Sequence, residues 1–481
     1  MFRKGASALA VWAALCFCHA AHAATEDDLK ELRDQVRLLK LDYERRIEAL
    51  ERRLQQAEAA AGKAEATARD AGLAAGKAES AATQAAVQAS SRPAGENAFN
   101  PAVSLILNGT YSNLSQDPNS YKINGFVPSM GEVGPPPRSF SLGESELAIS
   151  ANIDPYFRGT LFAALAPDNS IAVEEANIQT MGLSNGLTIK AGRFRSSVGY
   201  LNEIHPHGWD FADAPLVSRA FLGGQLSDDG VRLKWVAPAE LYLDVGFELG
   251  RGRSFPAGPE GGRNKNGFGS SNLFTHLGGD IGASTAWQLG LSHLQTSPQD
   301  RMYDDADAAG AMVSNSFTGK SRLWVLDGVL KWAPNGNSTD VNFKLQGEYF
   351  RRDEDGTLTY DTSGASLGAQ AGGYSSRQSG WYLQGVYQFI PRWRVGYRYD
   401  RLDSGTARLG LVDSGALGAA DFPILASYNA TRHTLMTDWS PSEFSRLRLQ
   451  FARDDSRKGM TDNQVFLQYI MSLGAHGAHK F

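Results

Sequence analysis

Only two of the 481 residues are cysteine, Cys16 and Cys18. Both lie in an apolar stretch, Ala8 to Cys18, that follows Arg3 and Lys4 and gives way to Ala21-His22-Ala23. A basic start, an apolar run and a small-residue exit in that order predict a signal peptide over 1–23, cleaved after Ala23. Leu15 and Phe17, directly before the cysteines, are too bulky for a lipoprotein signal. The exported chain then has no cysteine, which excludes disulfides, thiolate catalysis and cysteine-ligated zinc. Long apolar runs are missing as well: none of about 18 residues follows the leader, so a bundle of transmembrane helices is excluded. There is no basic excess either. The 47 Lys and Arg face 52 Asp and Glu, and losing Arg3 and Lys4 moves the net charge from -5 to -7, so nothing argues for nucleic acid. A polar average does not exclude a membrane, because the strands of a transmembrane barrel turn only alternate residues toward lipid.

Residues 24–92 read as a helix. Apolar residues at Leu29, Leu32, Val36, Leu39, Tyr43, Ile47, Leu50, Leu54 and Ala57 are spaced three and four apart, a heptad seam with one irregular step at Tyr43 to Ile47. The seam continues in alanine to Ala85, and Ala61-Gly62-Lys63-Ala64-Glu65 recurs as Ala75-Gly76-Lys77-Ala78-Glu79, two heptads on. A helix this polar has no core of its own, so the expectation is a coiled coil with copies of itself. A linker at 93–100 follows, after Ser90-Ser91-Arg92-Pro93 breaks the helix.

From residue 101 to 481 the period changes to two. Val103, Leu105, Leu107 and Tyr111 alternate with Ser104, Asn108 and Ser112, and similar runs bring the count to sixteen. Their connections sort by length. Every even-to-odd link is short, as at Asp154-Pro155, Asn185-Gly186, Ala283-Ser284 and Pro391-Arg392, while most odd-to-even links are long and polar, such as 197–229, 297–320 and 403–431. Tight turns at one end and long loops at the other are the asymmetry of an outer-membrane barrel. The expected fold is therefore an all-β transmembrane barrel of about sixteen antiparallel strands preceded by an α-helical coiled coil. Trp324, Leu326, Leu330 and Trp332 share one face of their strand, and Val465, Leu467, Tyr469, Met471 and Leu473 share another. The terminal aromatic, Phe481, resembles the signal read by the barrel-assembly machinery.

The passage Lys190-Ala191-Gly192-Arg193-Phe194-Arg195-Ser196-Ser197-Val198-Gly199-Tyr200-Leu201, with Asp228-Asp229-Gly230-Val231 opening the next strand, resembles the phosphate-selective porin O/P family. The resemblance extends over about 97–481 in architecture. It implies a homotrimer in the outer membrane of a Gram-negative bacterium, a third loop that constricts the pore, and anions such as phosphate as solutes. The third loop here departs from the basic loop of the phosphate-selective members. Its candidates for the constriction are Glu203, His205, His207, Asp210, Asp213 and Arg219, with Asp228 and Asp229 adding to the acidic side.

If the apolar face meets lipid, strand parity turns Arg158, Lys190, Arg232, Lys234, Lys331, Lys344, Arg394, Arg398, Arg446 and Arg448 inward, together with Glu144, Glu146, Asp244, Glu248, Asp327, Glu348 and Asp400. Like-signed side chains along a pore set ion preference, and the arginines of the thirteenth and fifteenth strands point to a mild preference for anions. His205-Pro206-His207 is the densest candidate for a metal, with His476 and His479 behind it, but as a loop surface it gives no firm metal assignment. Ser184 and Ser366 each sit in Gly-x-Ser-x-Gly, without the strand-turn-helix setting that an esterase elbow needs, so no enzyme is expected. Asp300, Asp304, Asp305 and Asp307 crowd one loop without the spacing of a calcium loop. No cofactor is implied.

The reading is a porin for passive diffusion of small hydrophilic solutes, seated in outer-membrane lipid, with its arm in the periplasm and in reach of peptidoglycan. The alternatives are a plugless receptor-like uptake barrel for zinc or another solute, a gated receptor being disfavoured because the coiled coil stands where its N-terminal plug would be, and a tether between outer membrane and cell wall.

Overall fold

A computed structural model describes residues 101–129, 133–166, 169–258 and 266–474, together with isolated helical positions between Arg37 and Gln56. The chain divides into two compact units, Met1–Ala98 and Phe99–Phe481. In the first, the described residues are Arg37, Lys40, Leu41, Glu44, Arg45, Glu48, Glu51, Arg52, Gln55 and Gln56, all helical and exposed. Lys40 with Glu44 and Glu48 with Arg52 form pairs one turn apart at 3.8 and 3.7 Å. The signal over 1–23, the heptad seam, the linker at 93–100, His476, His479 and Phe481 lie outside the described residues.

The second unit contains a closed barrel. We number its wall strands β1 Ala102–Leu114, β2 Ser145–Asn152, β3 Phe157–Leu165, β4 Ile171–Thr180, β5 Leu187–Arg195, β6 Ser227–Val236, β7 Tyr242–Gly250 and β8 Ser270–Ile281. The wall continues with β9 Thr285–Thr296, β10 Met312–Trp332, β11 Asn342–Tyr360, β12 Gln370–Ile390, β13 Trp393–Asp403, β14 Thr431–Ser442, β15 Ser445–Arg457 and β16 Met460–Gly474. Each strand pairs antiparallel with the next, and β1 closes the ring on β16 in the register Leu105↔Leu473 and Tyr111↔Leu467. These are the sixteen strands expected from the alternation. Three short segments, Ser139–Leu142, Arg301–Ala306 and Arg408–Leu409, extend the sheet beyond the wall. Closure pairs every edge, which is what allows a sheet to cross lipid.

The outward face is apolar because alternate positions are. Trp324 and Leu326 on β10, Leu435 on β14 and Leu467 on β16 are all exposed, while their neighbours Val325, Thr434 and Gln468 are buried inside. Trp235, Trp332, Trp393 and Trp439 stand at the short-turn ends of their strands, with Trp393 and Trp439 stacked 5.9 Å apart, an aromatic girdle at an interface.

At the opposite end the wall differs from expectation. Strand β10 starts at Met312 rather than 321, β11 runs on to Tyr360 and β12 begins at Gln370, so much of the expected loops 297–320 and 353–378 is strand. There the outer face bears ion pairs, Arg322 with Asp355 at 2.5 Å and Arg377 with Asp353 at 2.7 Å, which marks wall standing in water. Without lipid on one face the alternation that betrays a strand disappears.

Candidate functional site

The β5–β6 connection, residues 196–226, folds into the barrel. Two glycines make its entry possible. Gly192 on β5 has φ 119°, and a Cβ there would lie 2.3 Å from the carbonyl of Ala176 on β4. Gly199 has φ 70°, and a Cβ would meet the Glu348 carboxylate at 2.7 Å; its absence lets Tyr200 and Leu201 donate backbone N–H bonds to that carboxylate at 2.5 and 2.9 Å. Asn202 staples the two ends of the loop, donating to Ser196 O at 2.7 Å and Leu226 O at 2.9 Å and accepting from Leu226 N at 2.7 Å.

Three further anchors cross the lumen. Near β2 and β4, the His205 ring lies between carboxylates: Nδ1 is 2.6 Å from Glu146 and 3.2 Å from Glu174, and Nε2 is 2.9 Å from Glu175. Burial opposes charging this imidazole, but its bonds to Glu146, Glu174 and Glu175 outweigh burial and push its pKa up to about 10. On the other wall, Asp210 accepts from Lys344 on β11 and Arg394 on β13, both at 3.0 Å. Asp213 takes Arg398 at 2.9 Å, Arg219 of its own loop at 2.7 Å, Gln450 at 3.1 Å, and a still closer bond from Arg432. Burial again works against ionisation of both aspartates, and the facing cations reverse it, holding the two carboxyls well below the usual range.

Helix α1, Leu216–Leu222, follows and is buried along its whole length. Asp400 on β13 accepts its first N–H, from Leu216, at 2.9 Å. Its apolar side chains Val217 and Phe221 pack with Phe126 of the β1–β2 loop and with Phe350, Tyr382 and Leu402 of the wall. This inner cluster explains why the upper wall carries apolar residues on its lumen face.

The charges that the parity argument turns inward do not share one fate, and Glu144 lies in the connection before β2, outside the wall strands. Arg158 is exposed at the short-turn rim, bonded to Ser150 at 2.9 Å. Lys190, Lys234 and Lys331 are half-buried, with Lys234 3.7 Å from Asp244. Arg232, Arg398 and Arg448 do not face open lumen, because the loop covers them: Arg232 binds Glu203 and Glu248, each at 2.7 Å, and Arg448 donates to Trp209 O at 2.8 Å. Arg446 reaches the same carbonyl at 3.4 Å, and Arg394 also holds Asp438 at 2.5 Å. Asp228 and Asp229, expected in the loop, fall in β6, where Asp229 pairs with Arg193 at 2.6 Å.

Glu174 and Glu175 escaped the sequence reading. A strict alternation turns only one of two consecutive residues inward, yet β4 carries an extra residue against β3: Phe162 pairs with Glu175 and Ala163 with Val173. The bulge at Glu174 turns both carboxylates toward His205. Two adjacent glutamates in a lipid-flanked strand were the available signal. Ser366 donates to Asp307 at 2.5 Å, and two strand histidines, His293 and His433, pack on outward Trp324 and Tyr399. Asp305 and Asp307 accept backbone N–H groups of Ile424, Ala309 and Ala311.

A closed sixteen-strand barrel, apolar outside and charged within, with its β5–β6 loop pinned across the lumen, defines a membrane-spanning β-barrel. No model of a known family matches the chain. It is 30% identical over 426 residues to an uncharacterised protein of Aquifex aeolicus (strain VF5), with 81% of each chain covered, and it belongs to the same family as that protein. Among solved structures it is similar to the outer-membrane protein OmpT of Vibrio cholerae lacking loop L8 (10% identity, TM-score 0.48, 78% of this chain and 99% of that one). It is also similar to the outer-membrane channel DcaP of Acinetobacter baumannii (12%, 0.46, 78% and 97%). A third is an anion-selective porin from Comamonas acidovorans (11%, 0.43, 78% and 99%).

Proposed function

We propose that the chain is an outer-membrane porin that passes small hydrophilic solutes down their gradients. The observation that carries this reading is the β5–β6 loop, held inside a closed barrel by charged anchors on both walls, so that it narrows a polar lumen. In this reading the barrel sits in a Gram-negative outer membrane as a homotrimer. The signal over 1–23 is removed, the arm at 24–92 lies in the periplasm near peptidoglycan, and Phe481 serves insertion by the barrel-assembly machinery.

The selectivity we infer is weak. Arg394, Arg398, Arg432, Arg446 and Arg448, with Lys344 and the loop's own Arg219, stand among Asp210, Asp213, Asp400, Asp438 and Asp454, seven cations against five anions with contacts of 3.9 Å or less, so most of the positive charge is compensated. An arginine wall so compensated exerts little net field on a passing ion. The phosphate-selective branch draws its support from the Lys190–Leu201 passage and from Arg158, Lys190, Lys234 and Lys331; the acidic loop opposes it. Single-channel recording in potassium chloride and then potassium phosphate tests both levels. We expect ohmic conductance and a chloride-to-potassium permeability ratio within a few-fold of one. Absence of conductance overturns the porin, and a strong anion preference overturns the weak selectivity.

A further inference from the structure

We propose that Glu146, Glu174 and His205 bind one divalent transition-metal ion such as zinc, with Glu175 orienting the histidine, so that a metal fastens the lumen loop to β2 and β4. One donor atom from each of the three ligands lies within 4.8 Å of the others, a spread that a small inward movement converts to a metal's first shell. The imidazole is already divided between two roles. Its Nδ1 faces Glu146 and Glu174, while Nε2 stands 2.9 Å from Glu175, the arrangement in which a carboxylate holds one ring N–H and leaves the other nitrogen for a metal.

Two independent observations point to a missing cation. First, the β4 bulge directs two successive glutamates into one small space, and bulges of this kind re-aim side chains at sites. Second, Glu146 is 2% exposed, and its Oε1 has no hydrogen-bond partner among the described residues. A buried carboxylate oxygen left unmatched is costly. In the metal-free protein Arg195 pairs with Glu174 at 2.7 Å, so an incoming metal competes with that cation as well as with the proton on the His205 Nδ1. One nitrogen with carboxylate oxygens suits zinc and its neighbours better than calcium or magnesium. His207, whose ring stacks on His205 at 5.8 Å and whose Nδ1 lies 3.8 Å from Glu146, is within reach of the fourth position. Arg195 Nη2, 3.4 Å from the His205 Nδ1, is the group an incoming cation displaces.

The site stands apart from the porin reading and is tested without conductance. The purified full-length protein in detergent, stripped with a chelator, is titrated with zinc chloride by calorimetry, and bound metal is counted after dialysis. We expect one zinc per chain, with affinity lowered at least ten-fold in His205→Gln and Glu146→Gln. Glu175→Gln, which touches no metal, is expected to weaken binding by about 10- to 100-fold, the usual cost of losing an orienting carboxylate. A cobalt(II) spectrum of wild type gives the nitrogen and oxygen coordination, independently of whether a variant folds, and resistance of the barrel to unfolding in mild detergent checks each variant. A double variant at His476 and His479 must keep the zinc. The proposal is overturned if wild type binds no zinc, if His205→Gln or Glu146→Gln binds as tightly as wild type, or if the tail variant abolishes binding.

Discussion

Replacing Asp213 by asparagine keeps the shape of the loop and removes the negative charge at which three guanidinium groups meet. Arg398 and Arg219 approach that carboxylate at 2.9 and 2.7 Å, Arg432 closer still, and all three arginine side chains are 4% exposed or less. Removing one partner from such a buried pair costs about 3–5 kcal/mol, because the other charge stays behind without compensation. The lower end applies here. Arg398 keeps Asp400 at 3.0 Å, and Arg432 keeps Gln464 at 2.8 Å and Asp454 at 3.6 Å. At about 1.4 kcal/mol per decade, a loss of about 3 kcal/mol lowers the ratio of docked to undocked loop roughly 100-fold. Helix α1 opposes full release, since each fully buried side chain such as Leu216 or Phe221 contributes about 1.5–3 kcal/mol. The loop should therefore stay docked on average but leave the wall far more often. In planar bilayers the variant should show added open-channel noise and a reversal potential shifted toward anions, with the mean conductance raised modestly. Unchanged noise together with an unchanged reversal potential would refute the claim that the Asp213 anchor holds the constriction, and so would a shift toward cations.

The Asp210 anchor makes a pH prediction: burial resists its ionisation, but Lys344 and Arg394 depress its pKa, so its contribution is present above the unfolded value of about 4. It is lost as pH falls through the lower folded value, so Trp209 fluorescence should hold steady from pH 5 to 8 and change only below about 4. Asn202→Ala removes three bonds worth about 0.5–1.5 kcal/mol each and should open the loop ends, read as faster tryptic cleavage after Arg219 with the barrel intact. Leu435→Arg, at a position 59% exposed on the outer face, should cost about 2–4 kcal/mol if the residue meets the lipid midplane, and nearly nothing if it meets water, as measured by unfolding from liposomes. Deleting residues 26–92 should leave single-channel conductance unchanged, whereas a cell-wall tether would lose its association with peptidoglycan.

The wall was legible because lipid imposes a period of two, and the limits of legibility follow from the same cause. Every strand appears where one face must be apolar, as in Val465, Leu467, Tyr469 and Met471. Above the lipid, where Arg322, Asp355, Asp353 and Arg377 face water, the extensions of β10, β11 and β12 read as loop. Parity also breaks at the β4 bulge, since one inserted residue turns Glu174 to the side of Glu175, and no local pattern of side chains announces where a strand gains a residue.

The charges of the site were individually visible, but their partners were not, because the contacts join positions up to 239 apart in the chain, as between Trp209 and Arg448. Read separately, the arginines of β13 and β15 argue for anions and the acids of the loop argue against them. Folding makes the two observations one: Asp210 and Asp213 are the counter-ions of Lys344, Arg394, Arg398 and Arg432, and the acidity of the loop is what seats it on that wall. A loop with this function must be acidic if its wall is basic, whatever the solute. In the porin reading, selectivity then depends more on the exposed Arg158 and the half-buried Lys190, Lys234 and Lys331 than on the arginines the loop covers.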